Sequence, residues 1–129
     1  MNEIFFWASN LVRGLLNGLI ERADDGVLMS IRKRYLKNKP FCTVTFSLSK
    51  AAAAFASDVH LVGDFNGWDK TANPMSRQKN GSFAASLSLE RGKDYQFRYL
   101  LDQERWENDW QADKYLRNEF GGDNSVVVV

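Results

Sequence analysis

Few side chains in this sequence could act as a catalytic nucleophile, a general base or a metal ligand. His60 is the only histidine and Cys42 the only cysteine, whereas a zinc site or a nucleophile–base pair needs several such groups. No phosphate-binding glycine motif and no G-x-S-x-G motif is present. Paired carboxylates could hydrolyse a glycosidic bond, and five acids follow one another late in the chain: Asp102, Glu104, Glu107, Asp109 and Asp113. We expect these to be solvated acids of a surface loop, and predict no enzyme, no metal site and no cofactor.

Aromatic side chains beside planar polar groups favour a binding function instead. A sugar presents a face of C–H groups to an aromatic ring and a rim of hydroxyl groups to hydrogen-bonding side chains. Trp68 directly follows an Asn-Gly turn, both of whose residues tolerate positive φ. Trp106 follows the fourth predicted strand, and Arg98 lies on that strand out of phase with its apolar residues, so that its guanidinium is expected on the outer face. Each tryptophan alone is equally well explained by core packing, but the combination with Arg98, and with Asn124 before the last strand, favours a carbohydrate site.

Apolar and polar residues alternate from position 42 onwards, which indicates half-buried strands. We expect these strands to position the side chains named above. The alternation predicts strands over residues 42–48, 59–65, 83–89 and 95–101, with a β-branched closing strand over 125–129. Residues 49–58 are predicted as a loop or a short helical turn, 70–81 as loop and turn, and 102–123 as a polar, irregular stretch. Strands joined by turns without intervening helices predict an all-β fold, an antiparallel β-sandwich.

Residues 1–23 follow a helical period instead. Their apolar residues recur at three- and four-residue steps: Ile4, Ala8, Leu11, Val12, Leu15, Leu16, Leu19 and Ile20. Residues 27–40 are basic. We therefore divide the chain into residues 1–39, an amphipathic helix with a basic linker, and residues 40–129, the β-sandwich.

Several roles are open for the N-terminal segment. The helix could pack on the sandwich or on a second copy, or lie on a membrane surface. Met29 could also be an alternative translation start, which would make the preceding residues an appendage. Packing is favoured over membrane contact, so we expect a protein partner or self-association through residues 1–28.

Charge and cysteine content limit the partners and the compartment. The 17 basic and 16 acidic side chains leave a net charge of +1, so nothing in the balance calls for nucleic acid. A single cysteine excludes an internal disulfide and suits a reducing compartment. We therefore expect a cytoplasmic protein without a nucleic-acid partner.

Three segments, VHLVGDFNGWD, YQFRYLLD-x-x-RW and FGGDNSVVV, resemble the early-set carbohydrate-binding module. That module occurs in the glycogen-binding domain of AMP-activated kinase β-subunits, ahead of the catalytic domain in isoamylases and branching enzymes, and in small stand-alone bacterial proteins. The resemblance covers about residues 40–129. It implies an immunoglobulin-like sandwich that binds glucan and carries no catalytic residues, because the enzymatic members hold catalysis in a separate barrel.

The resemblance also implies a set of site residues. Trp68 and Trp106 match two tryptophans on which the family stacks α-1,4-glucan. Arg98 stands where a lysine bonds sugar hydroxyls, Asn124 matches a sugar-bonding asparagine, and Phe120 matches a leucine that packs on the glucan. The expected function is thus non-catalytic binding of glycogen or a starch-like glucan. The alternative is an interaction scaffold that docks an enzyme or a membrane through the N-terminal helix and has no glucan affinity.

Overall fold

Two antiparallel β-sheets face each other in the computed structural model, which describes residues 30–129. The elements are β1 (Ile31–Tyr35), β2 (Phe41–Leu48), α1 (Lys50–Ala53), β3 (Val59–Gly63), β4 (Ser76–Arg77), β5 (Phe83–Glu90), β6 (Asp94–Leu101), β7 (Arg105–Glu107), β8 (Lys114–Arg117) and β9 (Asp123–Val128). The first sheet has the order β1-β2-β5-β4, and the second has the order β3-β6-β9-β8, with β7 also paired to β6. This architecture confirms the predicted all-β sandwich. The predicted N-terminal helix, and the scaffold function that depends on it, lie outside the described residues.

The core forms between the inner faces of the two sheets, where the predicted alternation places apolar side chains. On β2 the inward residues are Cys42, Val44, Phe46 and Leu48, all at most 3% exposed. Phe97 and Tyr99 face them from β6. The rings of Phe46 and Phe97 meet edge to face with 5.0 Å between their centroids, a favourable aromatic geometry. The core therefore fixes which residues of β6 point inwards and which point outwards.

The strand β1 lies in the stretch that the sequence predicts to be a basic linker. It pairs with β2 from Ile31 opposite Phe46 to Tyr35 opposite Cys42, and Ile31 is buried. Lys33 forms a 2.7 Å ion pair with Asp113 of the β7–β8 connection. A strand at the edge of a sheet can form without alternating apolar residues. Its charged side chains also oppose pairing with another chain. The linker interpretation is therefore wrong for residues 31–35.

Two further strands, β7 and β8, occur where the sequence predicts an irregular stretch. β7 pairs Trp106 with Leu100 of β6, and β8 pairs Leu116 with Asn124 of β9. Both strands are short and mostly exposed. Edge strands of this kind carry little apolar alternation, which explains why the period of the sequence did not reveal them.

The connection after β3 turns one residue later than an Asn-Gly turn predicts. β3 ends at Gly63, a 3₁₀ turn covers Asp64–Asn66, and the left-handed residues are Gly67 (φ 67°) and Trp68 (φ 60°). Asn66 instead supports the turn through its side chain, which accepts from the Gly63 N–H at 3.1 Å and donates to the Leu61 carbonyl at 2.9 Å. A tryptophan at positive φ is unfavourable by itself, so the surrounding turn holds Trp68 in place.

Replacing Gly63 by alanine is expected to lower the free energy of unfolding by about 1–3 kcal/mol. A Cβ at this position would lie 2.5 Å from the Gln96 carbonyl oxygen and 2.7 Å from the Phe97 Cβ. Its backbone is extended (φ −175°), so the cost would come from the clash and not from the backbone angle. Urea unfolding measures it, with Gly122→Ala as the control, because Gly122 does not have a positive φ and a Cβ there would meet its nearest atom, Asn118 Nδ2, at an ordinary 3.6 Å. A Gly63→Ala loss no larger than that of the control would contradict the steric explanation.

Candidate functional site

Two of the predicted site residues, Arg98 and Trp106, meet on the outer face of the second sheet. Arg98 lies on β6 between the core residues Phe97 and Tyr99, and is therefore directed away from the core. Three apolar residues are at most 2% exposed although they do not belong to the core cluster: Val62, Leu100 and Val126. Their strand positions place them on this outer face, beside Arg98 and Trp106. Larger side chains must cover them, so the outer face is a second layer of packing and not a bare sheet.

Trp106 lies at one end of this face with two cations over its ring. The guanidinium carbon of Arg98 is 5.7 Å from the ring centroid, and the Lys70 ammonium is 5.9 Å from it. Both distances fall within the range of cation–π attraction. Trp106 remains 37% exposed. The ring is thus held by its neighbours while more than a third of its surface faces solvent.

Arg98 is half-buried between two acids at the junction of β7 and β9. Burial lowers the pKa of its guanidinium, against the raising effect of the charges of Glu107 and Asp123, yet arginine stays protonated in any case. Among the described residues its Nε is buried without a hydrogen-bond partner. A buried donor without an acceptor is costly, so this atom is an unsatisfied donor beneath the surface of the face.

Glu107 faces Arg98 from the end of β7. Burial raises the pKa of its carboxyl, while hydrogen bonds from the Asn108 N–H and the Trp110 indole and the charge of Arg98 lower it. The group is therefore not a solvated surface acid. Because β7 pairs Glu107 with the core residue Tyr99 and Trp106 with Leu100, Glu107 starts from the opposite side of the sheet to Trp106 and contributes a negative charge near Arg98.

Trp68 is tied to β6 through Asp64. The indole N–H donates to Asp64 Oδ1 at 2.9 Å, and the backbone N–H of Gln96 donates to Asp64 Oδ2 at 2.7 Å. The backbone N–H of Trp68 also donates to the Gly63 carbonyl at 2.9 Å. Trp68 is partly exposed, so neither of the two predicted tryptophans is buried. Asp64 belongs to the VGDFNGWD segment, but its role depends on where β6 lies and could not be predicted from the turn.

Asn124 lies beside these residues, but the protein already uses its amide. Its Nδ2 donates to Gln96 Oε1 at 3.0 Å, and its Oδ1 accepts from Asn118 Nδ2 at 3.2 Å. Asn118 Oδ1 in turn accepts from the backbone N–H groups of Phe120 and Gly122. Phe120 is 86% exposed at the tip of this loop. Asn124 and Asn118 therefore shape the loop that presents Phe120, and the sequence offered no signal for Asn118.

The late acids do not behave as one solvated group. Asp109 is 1% exposed, so the expectation of a solvated acid is wrong at this position. Asp102 accepts from the backbone N–H groups of Ser57 and Asp58, and these bonds lower the pKa of its carboxyl. Within residues 30–129 no three histidine, cysteine or acidic side chains gather as a metal site would require. Over the same residues no helix has the length and apolar character needed to cross a membrane.

The sequence of this chain is similar to sequences of known carbohydrate-related proteins. The sequence profile of carbohydrate-binding module 48 (isoamylase N-terminal domain) matches residues 46–116, more than half of the chain. A 1,4-alpha-glucan branching enzyme GlgB from Butyrivibrio fibrisolvens is 63% identical over 27 residues, which cover 21% of this chain and 4% of the enzyme. The similarity thus spans only a small part of that relative.

Proposed function

Because this chain belongs to the carbohydrate-binding module 48 family, that of the isoamylase N-terminal domain, we propose that it binds α-glucan of the glycogen or starch type without cleaving it. The family is one of carbohydrate-binding modules, and the similar branching enzyme is named for a 1,4-alpha-glucan. The observation that carries the proposal is the partly exposed ring of Trp106 with Arg98 and Lys70 beside it. Trp68, held through Asp64 next to the same strand, is the second platform.

Each part of the surface has a matching part on the ligand. The C–H faces of successive glucose rings stack on Trp106 and Trp68, which removes apolar surface from water. Arg98 donates to sugar hydroxyls through its guanidinium group, which carries five N–H donors. Aromatic anchors contribute about 1–3 kcal/mol each, so two of them alone correspond to a dissociation constant of about 40 μM to 30 mM. The hydrogen bonds of Arg98 tighten it further.

Calorimetric titration of the full chain with maltoheptaose tests the proposal. We expect a dissociation constant in the micromolar to millimolar range, and at least about tenfold weaker binding of cellohexaose, whose β-linkages present the rings in another arrangement. The absence of heat with maltoheptaose, or equal affinity for both sugars, would overturn it. New reducing ends in the maltoheptaose sample after incubation would contradict the non-catalytic part.

A further inference from the structure

A groove with a volume of about 580 Å³ lies at the end of the sandwich where β2 leads into α1. Its apolar lining consists of four alanines and Phe55 from residues 51–56 and of Phe83 from β5. Lys50 and Arg77 line its rim. The guanidinium of Arg77 lies 5.1 Å from the Phe83 ring centroid. The groove is thus apolar inside and cationic at its margin, and it is separate from the surface with Trp106.

The loop after α1 directs a phenylalanine into solvent beside this groove. Phe55 is 100% exposed, and both Ala54 (φ 48°) and Phe55 (φ 66°) adopt the left-handed conformation that such residues rarely take. Two arginines hold the loop: Arg77 donates to the Ala56 carbonyl at 2.8 Å, and Arg105 donates to the Ala54 carbonyl at 3.4 Å. The exposed ring therefore results from a fixed loop, and within residues 30–129 it buries nothing in return.

The chain that precedes β1 leaves the sandwich next to this groove. The Ser30 carbonyl accepts from the Ser47 N–H at 2.7 Å, and Ser47 lies only three residues before Lys50 on the groove's rim. With a rise of about 3.3 Å per strand residue, the exit point is on the order of 10 Å from the rim. Residues 21–29 can span up to about 30 Å when extended. The apolar residues at positions 4–20 can therefore reach the groove without strain.

Residues 1–29 and the sandwich of residues 30–129 carry net charges of opposite sign. Residues 1–29 hold four acidic and two basic side chains, whereas residues 30–129 hold 12 acidic and 15 basic ones. Residues 4–20 hold one charged side chain, Arg13, and the acids Glu21, Asp24 and Asp25 lie with Arg22 between them and the exit at Ser30. Three cations surround the groove and its loop: Lys50, Arg77 and Arg105. Acids on the incoming segment would thus lie near cations on the rim.

We propose that this groove is the docking site for the chain's own residues 4–20, with Phe55 packed against their apolar side. Docking covers the exposed ring and fills the apolar groove, so that the N-terminal segment becomes part of the same folded unit. This interaction is independent of the proposed glucan site, because it uses none of the aromatic residues that are proposed to face sugar.

Hydrogen exchange of the full chain, followed by mass spectrometry, tests the docking. In the wild-type protein we expect amides of residues 4–20 to exchange at least about tenfold more slowly than in an unstructured peptide. Phe55→Asn should remove this protection, and because asparagine tolerates positive φ, the substitution removes the ring without straining the loop. Phe41→Asn is the control, since Phe41 is also exposed but lies at the start of β2, opposite Glu90 at the other end of the sandwich.

The reciprocal variant, Leu11→Asp with Leu15→Asp, should speed exchange of the amides at positions 51–56. The proposal fails if residues 4–20 exchange at the unstructured rate in the wild type, or if Phe55→Asn and Phe41→Asn have equal effects. Light scattering at two protein concentrations accompanies the exchange. Protection that rises with concentration, together with a dimer mass, would replace docking within one chain by docking on a second copy.

Discussion

Replacing both Trp68 and Trp106 by alanine is expected to abolish measurable binding of maltoheptaose, and each single substitution to weaken it by about tenfold or more. A stacked aromatic anchor contributes about 1–3 kcal/mol, and 1.4 kcal/mol corresponds to a tenfold change in the dissociation constant. Trp106→Ala should have the larger effect, because it also removes the ring beside which Arg98 and Lys70 lie. Calorimetry measures the affinities, and circular dichroism checks that each variant remains folded.

Tyr35→Ala is the matched control for these substitutions. Tyr35 is 45% exposed on β1, and its ring lies 4.8 Å from the guanidinium carbon of Arg91. It therefore resembles Trp106 in its exposure and in its arginine neighbour, but it belongs to the other sheet. We expect its removal to leave maltoheptaose binding unchanged. A comparable loss in the Tyr35 variant, or an unchanged affinity without Trp68 and Trp106, would remove the tryptophans from the site.

The strands that could be predicted from the sequence are those with one face in the core. β2 alternates four buried apolar residues with polar ones, and this period determines its faces without reference to other strands. β1 contains Arg32, Lys33 and Arg34 in succession and is a strand only because β2 offers it a partner. Tertiary pairing thus decided the structure of a segment whose own composition resembles a linker.

The site was predictable where a residue's role follows from its phase on a strand. Arg98 had to point outwards once Phe97 and Tyr99 pointed inwards, and the structure places it there. The contacts that hold the site could not be found in this way. Asp64 bonds Gln96 across 32 positions, and Asn118 meets Asn124 only because the intervening loop folds back. Such contacts depend on which strands become neighbours in the fold. The local alternation of apolar and polar residues does not predict which strands these are.

The role of Asp109, which is buried, likewise depends on which strands become its neighbours. The sequence places it among five late acids, yet its carboxylate accepts from the Tyr99 hydroxyl at 2.6 Å, from the Gln111 N–H at 2.8 Å and from the Ser30 hydroxyl. Its own N–H donates to Ser125 Oγ at 2.8 Å. The residue therefore joins β6, β9 and the start of β1. A buried carboxylate is tolerated only when its neighbours satisfy it in this way.

Asp109→Ala is accordingly expected to lower the free energy of unfolding by about 3 kcal/mol, or the melting temperature by more than about 10 °C. The substitution leaves the fully buried Tyr99 hydroxyl and the Ser30 hydroxyl without their acceptor, which is costlier than the loss of an exposed contact. Asp113→Ala is the control in the same connection, because Asp113 is 32% exposed and pairs with Lys33 at the surface. Its loss should cost about 1 kcal/mol or less. Urea and thermal unfolding measure both, and equal effects would show that Asp109 contributes no more than a surface acid.

The pH dependence of unfolding gives a second measurement of the same network. Burial, with the charge of Asp109 and its hydrogen bond, raises the pKa of Tyr99 well above its ordinary value of 10.0. The folded state therefore keeps Tyr99 protonated where the unfolded chain ionises, so stability is complete below pH 10 and falls as the pH rises beyond it. In Tyr99→Phe this component of the alkaline loss should be absent. The urea midpoints of wild type and variant at pH 9 and pH 11 measure it, and parallel losses in the two proteins would mean that Tyr99 is not the group held neutral beside Asp109.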